Sequence, residues 1–229
     1  MTAQLPLGLV LKDSATFANF IPGPQSEVLQ ALQESARGGG EPFIYLAGAA
    51  GTGKTHLLQA ACHAAAHLSH SVAYLPLQQV AEFGTEILDG LEQLRLVCLD
   101  DLQVVAGRTD WEQALFNLFN RLRDSGGRLI VTAALKPAQL GLTLPDLTSR
   151  LGWGVTYVLQ ALDDADKLSA LCLRAQARGF ELPDEVGRYL LARLPRDMPA
   201  LFAVLDQLDY ASLAAQRRLT VPFIKSILD

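Results

Sequence analysis

The chain of 229 residues is half hydrophobic and 19% charged, which excludes fibrous or long disordered character and leaves room for one large or two small domains. Nineteen lysines and arginines against 24 aspartates and glutamates give a net charge of −5, which argues against a protein that binds nucleic acid tightly on its own. No run of about 18 apolar residues occurs, and the first residues lack the basic and apolar regions of an export signal, so neither export nor membrane spanning is expected.

In chain order, residues 1–15 read as a tail, and Arg37 to Pro42 (RGGGEP) reads as a flexible break before the fold proper. Phe43 to Ala47, Val72 to Pro76, Arg95 to Leu99, Arg128 to Ala133 and Val155 to Leu159 are short apolar runs separated by helical patterns. Strands of that kind are buried on both faces, and their alternation with helices implies a parallel five-stranded sheet between helices, an α/β domain over residues 16–160. Beyond Gln160 the pattern changes. Residues 163–179, 182–194 and 196–216 are three amphipathic segments with no strand between them, so 161–229 reads as a small helical domain. Cys62, Cys98 and Cys172 show no CxxC spacing; neither a disulfide framework nor a zinc ribbon is indicated, and a cytoplasmic location is expected.

The chemistry concentrates at the ends of two strands. Gly48-Ala49-Ala50-Gly51-Thr52-Gly53-Lys54-Thr55 satisfies GxxxxGK[ST] directly after an apolar strand and directly before a helical run that begins with His56. The glycines allow successive backbone N–H groups to point at phosphate oxygens, and the helix N-terminus adds its positive end. Lys54 would sit on the β and γ phosphates, and the Thr55 hydroxyl would coordinate Mg²⁺. The strand Leu96 to Leu99 ends in Asp100 and Asp101. Asp100 is assigned to the Mg²⁺ shell and Asp101 to polarising the attacking water, because consecutive strand residues point in opposite directions. His63 and His67 lie one helical turn apart with His70 nearby, yet no further ligand pattern makes them a zinc site. Trp111, Phe116 and Phe119 read as core rather than as a base-stacking surface.

With the phosphate loop, the Asp100-Asp101-Leu-Gln103 run, Ser149-Arg150-Leu-Gly-Trp153-Gly154 and a helical lid, the chain resembles the AAA+ ATPases of the bacterial replication initiator DnaA. The resemblance begins at Thr16-Phe17-x-x-Phe20-x-x-Gly23, similar to the initiators' adenine-side segment, and runs to the end of the lid, so Phe17, Phe20 and Gly23 are expected to bind nucleotide together with the phosphate loop and His56. It implies ADP or ATP with Mg²⁺ as ligands, Thr132 as the sensor of the γ phosphate or water, and Arg196 as the lid arginine that touches nucleotide. Arg150 lies where such proteins reach into a neighbour's nucleotide and is the candidate arginine finger, with a structural ion-pairing role as its alternative. Where these relatives often carry an acidic and then a basic residue, this chain has Ala134 and Leu135, which implies weak hydrolysis at its own site.

Gln4-Leu5-Pro6-Leu7-Gly8-Leu9 is similar to a sliding-clamp-binding peptide, with Gln4, Leu5, Leu7 and Leu9 as the anchors. Joined to a DnaA-like module lacking room for a DNA-binding domain, it implies a DnaA-related regulatory adaptor, recruited by the clamp, that promotes ATP hydrolysis by a DnaA-type initiator. DNA would be met only through the clamp. Two other readings stand beside it: an autonomous AAA+ ATPase that loads or remodels a replication protein, and an assembly module in which nucleotide organises a surface. Homo-oligomerisation is left open, since AAA+ contacts are head to tail and need not close.

Overall fold

The structure, a computed structural model, describes residues 15–23, 25–195 and 197–228. The clamp-peptide anchors Gln4, Leu5, Leu7 and Leu9, and the lid arginine Arg196, lie outside the described residues. The chain divides into two units, one holding residues 15–18 and 25–159, the other 19–23 and 160–228.

In the first unit all five expected strands form: β1 (Phe43–Gly48), β2 (Val72–Pro76), β3 (Leu96–Asp100), β4 (Arg128–Ala133) and β5 (Val155–Leu159). They make one parallel sheet in the order β2-β3-β4-β1-β5. Among them run α1 (Ser26–Ala36), α2 (Lys54–His67), the single turn α3 (Leu77–Val80), α4 (Thr109–Ser125) and α5 (Pro145–Leu151). β3 begins one residue later than the apolar pattern predicts, because the Arg95 N–H bonds to the Ser71 carbonyl ahead of the ladder while Leu96 pairs with Val72. That shift makes Asp100 the last residue of the strand.

Alternate strand residues serve opposite faces. Tyr45, Ala47, Val97, Leu99, Leu129 and Val131 share a core with α4, which turns Trp111, Leu115, Leu118, Phe119 and Leu122 towards them at helical spacing. α2 covers β3 and its neighbours with Leu57, Leu58, Ala61, Cys62 and Ala65, all buried, and α1 packs on α2.

Arg37 to Pro42 is not the flexible break that its composition predicts. Buried Arg128, at the start of β4, donates to Ser35 Oγ at 3.1 Å and to the carbonyls of Gly38 (3.1 Å), Gly39, Gly40 (2.7 Å) and Glu41 (2.8 Å). One guanidinium thus satisfies a whole turn of orphan carbonyls after α1. The folded unit accordingly begins ahead of that turn, with α1 burying Val28, Leu32, Ser35 and Ala36.

A second backbone constraint lies at β5. An added Cβ at Gly154 would stand 1.8 Å from the Phe43 carbonyl oxygen, so only glycine lets the chain enter β5 beside β1. Gly152, by contrast, has ordinary φ −84° and room for a side-chain carbon.

The second unit holds α6 (Asp164–Ala177), α7 (Asp184–Arg193), α8 (Met198–Ala215) and α9 (Val221–Leu228). Asp163 and Asp197 accept hydrogen bonds from the first-turn N–H groups of Asp166 and Ala200, each at 2.8 Å, which explains where α6 and α8 begin. Leu171, Val186, Leu190, Leu201, Leu205, Leu208 and Ile224 form its core, and Ile21 packs on it. The short helix α9 adds a fourth helix to the three amphipathic segments expected. Arg174 and Arg178 both donate to Asp206, joining α6 to α8.

Candidate functional site

Strand register brings the chemistry to one sheet edge. Ala47 is level with Ala133 and Leu46 with Thr132, while Leu99 is level with Val131. Gly48, Asp100 and Thr132 therefore emerge together at the C-terminal ends of β1, β3 and β4, where open α/β sheets receive ligands.

The loop after β1 has the conformation a phosphate cradle requires. Gly51 (φ 78°) and Gly53 (φ 91°) occupy the left-handed region, and a Cβ at Gly48 would stand 2.8 Å from Thr52 Oγ1 and 2.9 Å from the Leu159 carbonyl. Gly53 is the N-cap of the 14-residue helix α2 and supplies no side-chain cap, so the positive end of the helix meets the loop. The Lys54 ammonium is folded into the loop, donating to the Gly48 carbonyl at 2.7 Å and the Ala49 carbonyl at 2.9 Å. Burial lowers its pKa, and the nearby Asp101 and Asp100 carboxylates oppose that shift. Thr52 Oγ1 donates to the Ala49 carbonyl, and the Thr55 hydroxyl is exposed beyond it. His56 Nε2 lies 2.8 Å from the Thr16 carbonyl, tying the segment that leads to Phe17 to the start of α2.

At the neighbouring strand end, Asp100 is only 2% exposed and both carboxylate oxygens are engaged. Thr132 Oγ1 donates to Oδ1 at 2.5 Å and Tyr74 Oη donates to Oδ2 at 2.9 Å. The same Thr132 oxygen accepts the Asp101 N–H at 3.0 Å. Asp101 leaves the strand in a left-handed conformation (φ 61°, ψ 53°), so this turn, rather than strand alternation, separates its carboxylate from that of Asp100. Gln103 Nε2 donates to Asp101 Oδ1 at 2.9 Å while its Oε1 accepts the Ala134 N–H at 3.1 Å, bridging the two strand ends. No role falls to Tyr74 from the sequence, and Gln103 is named there only within the run that carries the resemblance. Tyr74 is a polar-tipped ring within apolar β2, and Gln103 lies two residues beyond the acidic pair; those positions are the signals by which they could be found.

Residues for a nucleotide are thus present as a shaped loop, a buried lysine and an open helix end. Oxygen donors for Mg²⁺ are present in Thr55, Asp100 and Asp101, the hard ligands that ion uses together with phosphate and water. Among the described residues no group of three or more His, Cys, Asp and Glu side chains could hold a metal by itself. His70 Nδ1 instead faces the Ala36 carbonyl at 3.2 Å. The expected adenine-side segment is divided, with Phe17 in the α/β unit and Phe20 and Gly23 in the lid unit, where Gly23 (φ 54°) packs beside Leu162 and Asp166.

Arg150 occupies the last turn of α5. Its guanidinium lies 4.5 Å from the Trp153 ring centre and 5.8 Å from that of Phe116. Among the described residues it forms no ion pair, and its buried Nε has no hydrogen-bond partner. Glu112, fully buried in the first turn of α4, accepts the N–H groups of Gly107, Thr143 and Leu144 and the Thr143 hydroxyl, which fixes the entrance to α5. Trp111 and Phe119 are buried and Phe116 is half-buried in the α4 core, as their helical spacing predicts. No described helix is long and apolar enough to cross a membrane.

Residues 11–158 match the family model of the bacterial DnaA ATPase domain, and residues 164–228 match that of the Hda lid domain. Among solved structures the chain is similar to domain III of the Thermotoga maritima replication initiation protein DnaA, with 24% identity and a TM-score of 0.83 over 96% of this chain and 97% of that one. It is also similar to AMPPCP-bound DnaA from Aquifex aeolicus, with 24% identity and a TM-score of 0.74 over 87% of this chain and 66% of that one. The Thermotoga maritima RuvB branch migration motor shares the fold more distantly, with 15% identity and a TM-score of 0.61 over 88% of this chain and 66% of that one.

Proposed function

Starting from the fact that this chain belongs to the bacterial DnaA ATPase-domain family and carries an Hda-type lid, we propose that it is a regulatory adaptor that stimulates ATP hydrolysis by a DnaA-type initiator. The observation that carries this reading is Arg150, a guanidinium held against aromatic rings without an ionic partner among the described residues. A structural arginine ordinarily ends on a carboxylate; one left with free donors suits an anion that arrives from outside. Inserted beside a neighbour's ATP, it donates to the equatorial oxygens of the transferred phosphoryl group as charge spreads onto them, an effect worth about 10³ to 10⁵ in rate.

The chain's own nucleotide has a different part. Lys54 and the loop N–H groups bind the phosphates of ADP or ATP, and a bound Mg²⁺, held through Thr55 and Asp100, would offset phosphate charge. Thr132 has one proton, and it is already committed to Asp100; donating to a γ phosphate would strip that carboxylate of a partner. This supports a site that holds nucleotide and turns it over weakly, with Asp101 left to polarise water. Recruitment to the sliding clamp is assigned to Gln4, Leu5, Leu7 and Leu9, and lid contact with nucleotide to Arg196. The working place is the cytoplasm, where initiator and clamp act.

The test is phosphate release from a DnaA-type initiator preloaded with labelled ATP, with this protein and DNA-loaded clamp added separately and together. Stimulation should need both, disappear in Arg150→Ala, and disappear with clamp recruitment when residues 4–9 are deleted. Rapid turnover by this protein alone, abolished by Lys54→Ala, would favour the autonomous ATPase instead.

A further inference from the structure

We propose that Trp153 is the positioning residue of Arg150, an aromatic shelf that holds the guanidinium flat and unpaired until an anionic phosphoryl group meets it. This rests on the reading of Arg150 as the residue that acts on a partner's nucleotide.

Arginine side chains have rotatable stems, and a catalytic guanidinium gains only if its place is fixed beforehand. Fixing it with a carboxylate would defeat the purpose, since the carboxylate would compete with phosphate for the same donors. An aromatic face attracts the cation without occupying a single N–H. Trp153 provides that face at 4.5 Å, and Phe116 flanks the guanidinium more distantly at 5.8 Å.

The shelf is itself immobilised. Trp153 meets Phe119 edge to face at 6.4 Å, and Phe119 stacks on Phe43 at 4.2 Å, so an aromatic chain runs from the guanidinium to the first residue of β1. Gly154, the next residue, lies so close to the Phe43 carbonyl that no side chain fits there, which fixes the backbone immediately after Trp153. Yet Trp153 is 59% exposed, an uncommon amount for so large an apolar ring. Burial does not account for its place. A second guanidinium, Arg123, lies 5.9 Å from the same ring, but both its Nε and one terminal nitrogen are spent on Asp124, at 2.9 and 2.7 Å. Of these two cations on the indole, Arg150 is the one without a hydrogen-bond or ionic partner among the described residues.

The experiment compares Trp153→Phe, Trp153→Ala, Arg150→Ala and the unaltered chain in clamp-dependent phosphate release from the ATP-loaded initiator. Thermal unfolding of each protein accompanies the comparison. Trp153→Ala should lower the maximal stimulated rate on the order of 10²-fold, the cost of misplacing a reacting group by about an ångström. The concentration for half-maximal stimulation should change little, and Trp153→Phe should recover most of the rate. Trp111 is buried, so acrylamide quenching reads Trp153, and it should increase in Arg150→Ala as the guanidinium uncovers one ring face. A Trp153→Ala protein that stimulates like the unaltered chain, while Arg150→Ala does not, overturns the shelf and leaves the adaptor reading standing. Loss in Trp153→Ala that appears only in half-saturation, or that Trp153→Phe fails to restore, also overturns it, since contact area would then be the cause. Full stimulation by Arg150→Ala overturns both.

Discussion

Glu112 shows how one buried side chain can make the fold sensitive to acid. Burial disfavours its charged form, but the N–H groups of Thr143, Gly107 and Leu144 and the Thr143 hydroxyl outweigh that and hold its pKa below the ordinary glutamate value. A lowered carboxyl pKa stabilises the native state above the unfolded value of about 4.3, and the contribution vanishes as pH falls through the lower native value. Glu112→Gln should therefore cost about 2 kcal/mol in urea unfolding at pH 7. The difference from the unaltered chain should shrink towards pH 2 to 3; an equal cost at both pH values would refute ionisation as the cause. Tyr74 gives a second residue-scale expectation. Tyr74→Phe removes one partner of the Asp100 carboxylate, so the Mg²⁺ concentration needed for tight nucleotide binding should shift several-fold, with less change in metal-free ADP affinity. Calorimetric titrations at two Mg²⁺ concentrations would read it.

Elements were legible where hydrophobic period and motif agreed. All five strands follow from apolar runs, and the phosphate loop follows from its spacing, because both are local properties of the chain. What was not legible depended on distant partners. The RGGGEP turn has the composition of a loose linker, and it is held chiefly by Arg128, some 90 residues away in the chain, with Arg95 also donating to the Gly38 carbonyl. Arg128→Met should leave several part-buried carbonyls without that donor and destabilise the protein by about 1 to 3 kcal/mol, measured by denaturant unfolding. Tyr74 escaped for the same reason, since its hydroxyl matters only once β2 lies beside β3. α9 escaped because eight residues carry too little period to distinguish a helix from a buried run. The glycines around Trp153 allow a sharper comparison. Gly152→Ala should be tolerated within about 1 kcal/mol, whereas Gly154→Ala must push β5 from β1 and should cost more than about 3 kcal/mol or prevent folding. Equal stability of the two variants would refute the close approach.

At the scale of the whole molecule, a ligand that engages only the native loop must raise its stability by mass action. ADP at about 100 times its dissociation constant should add about 2.7 kcal/mol. The rise in thermal midpoint should be absent in Lys54→Ala, whose unliganded stability then reports what the lysine's own carbonyl contacts contribute. A midpoint that responds to ADP equally in both proteins would displace the phosphate loop as the binding site.

The Phe43 carbonyl that forbids a side chain at Gly154 bears on how such proteins are recognised by their spelling. Within the string Ser149 to Gly154, the arginine answers to a partner on the function proposed above, the first glycine has only ordinary contacts that leave room for a side-chain carbon, and the last answers to the backbone of a neighbouring strand. A descendant that abandoned the partner could lose Arg150 and drift at 152, yet would retain 154 for as long as β5 lies against β1. Shared glycine at that place is therefore a signature of inherited architecture, and it is the arginine four residues earlier that would speak of inherited duty.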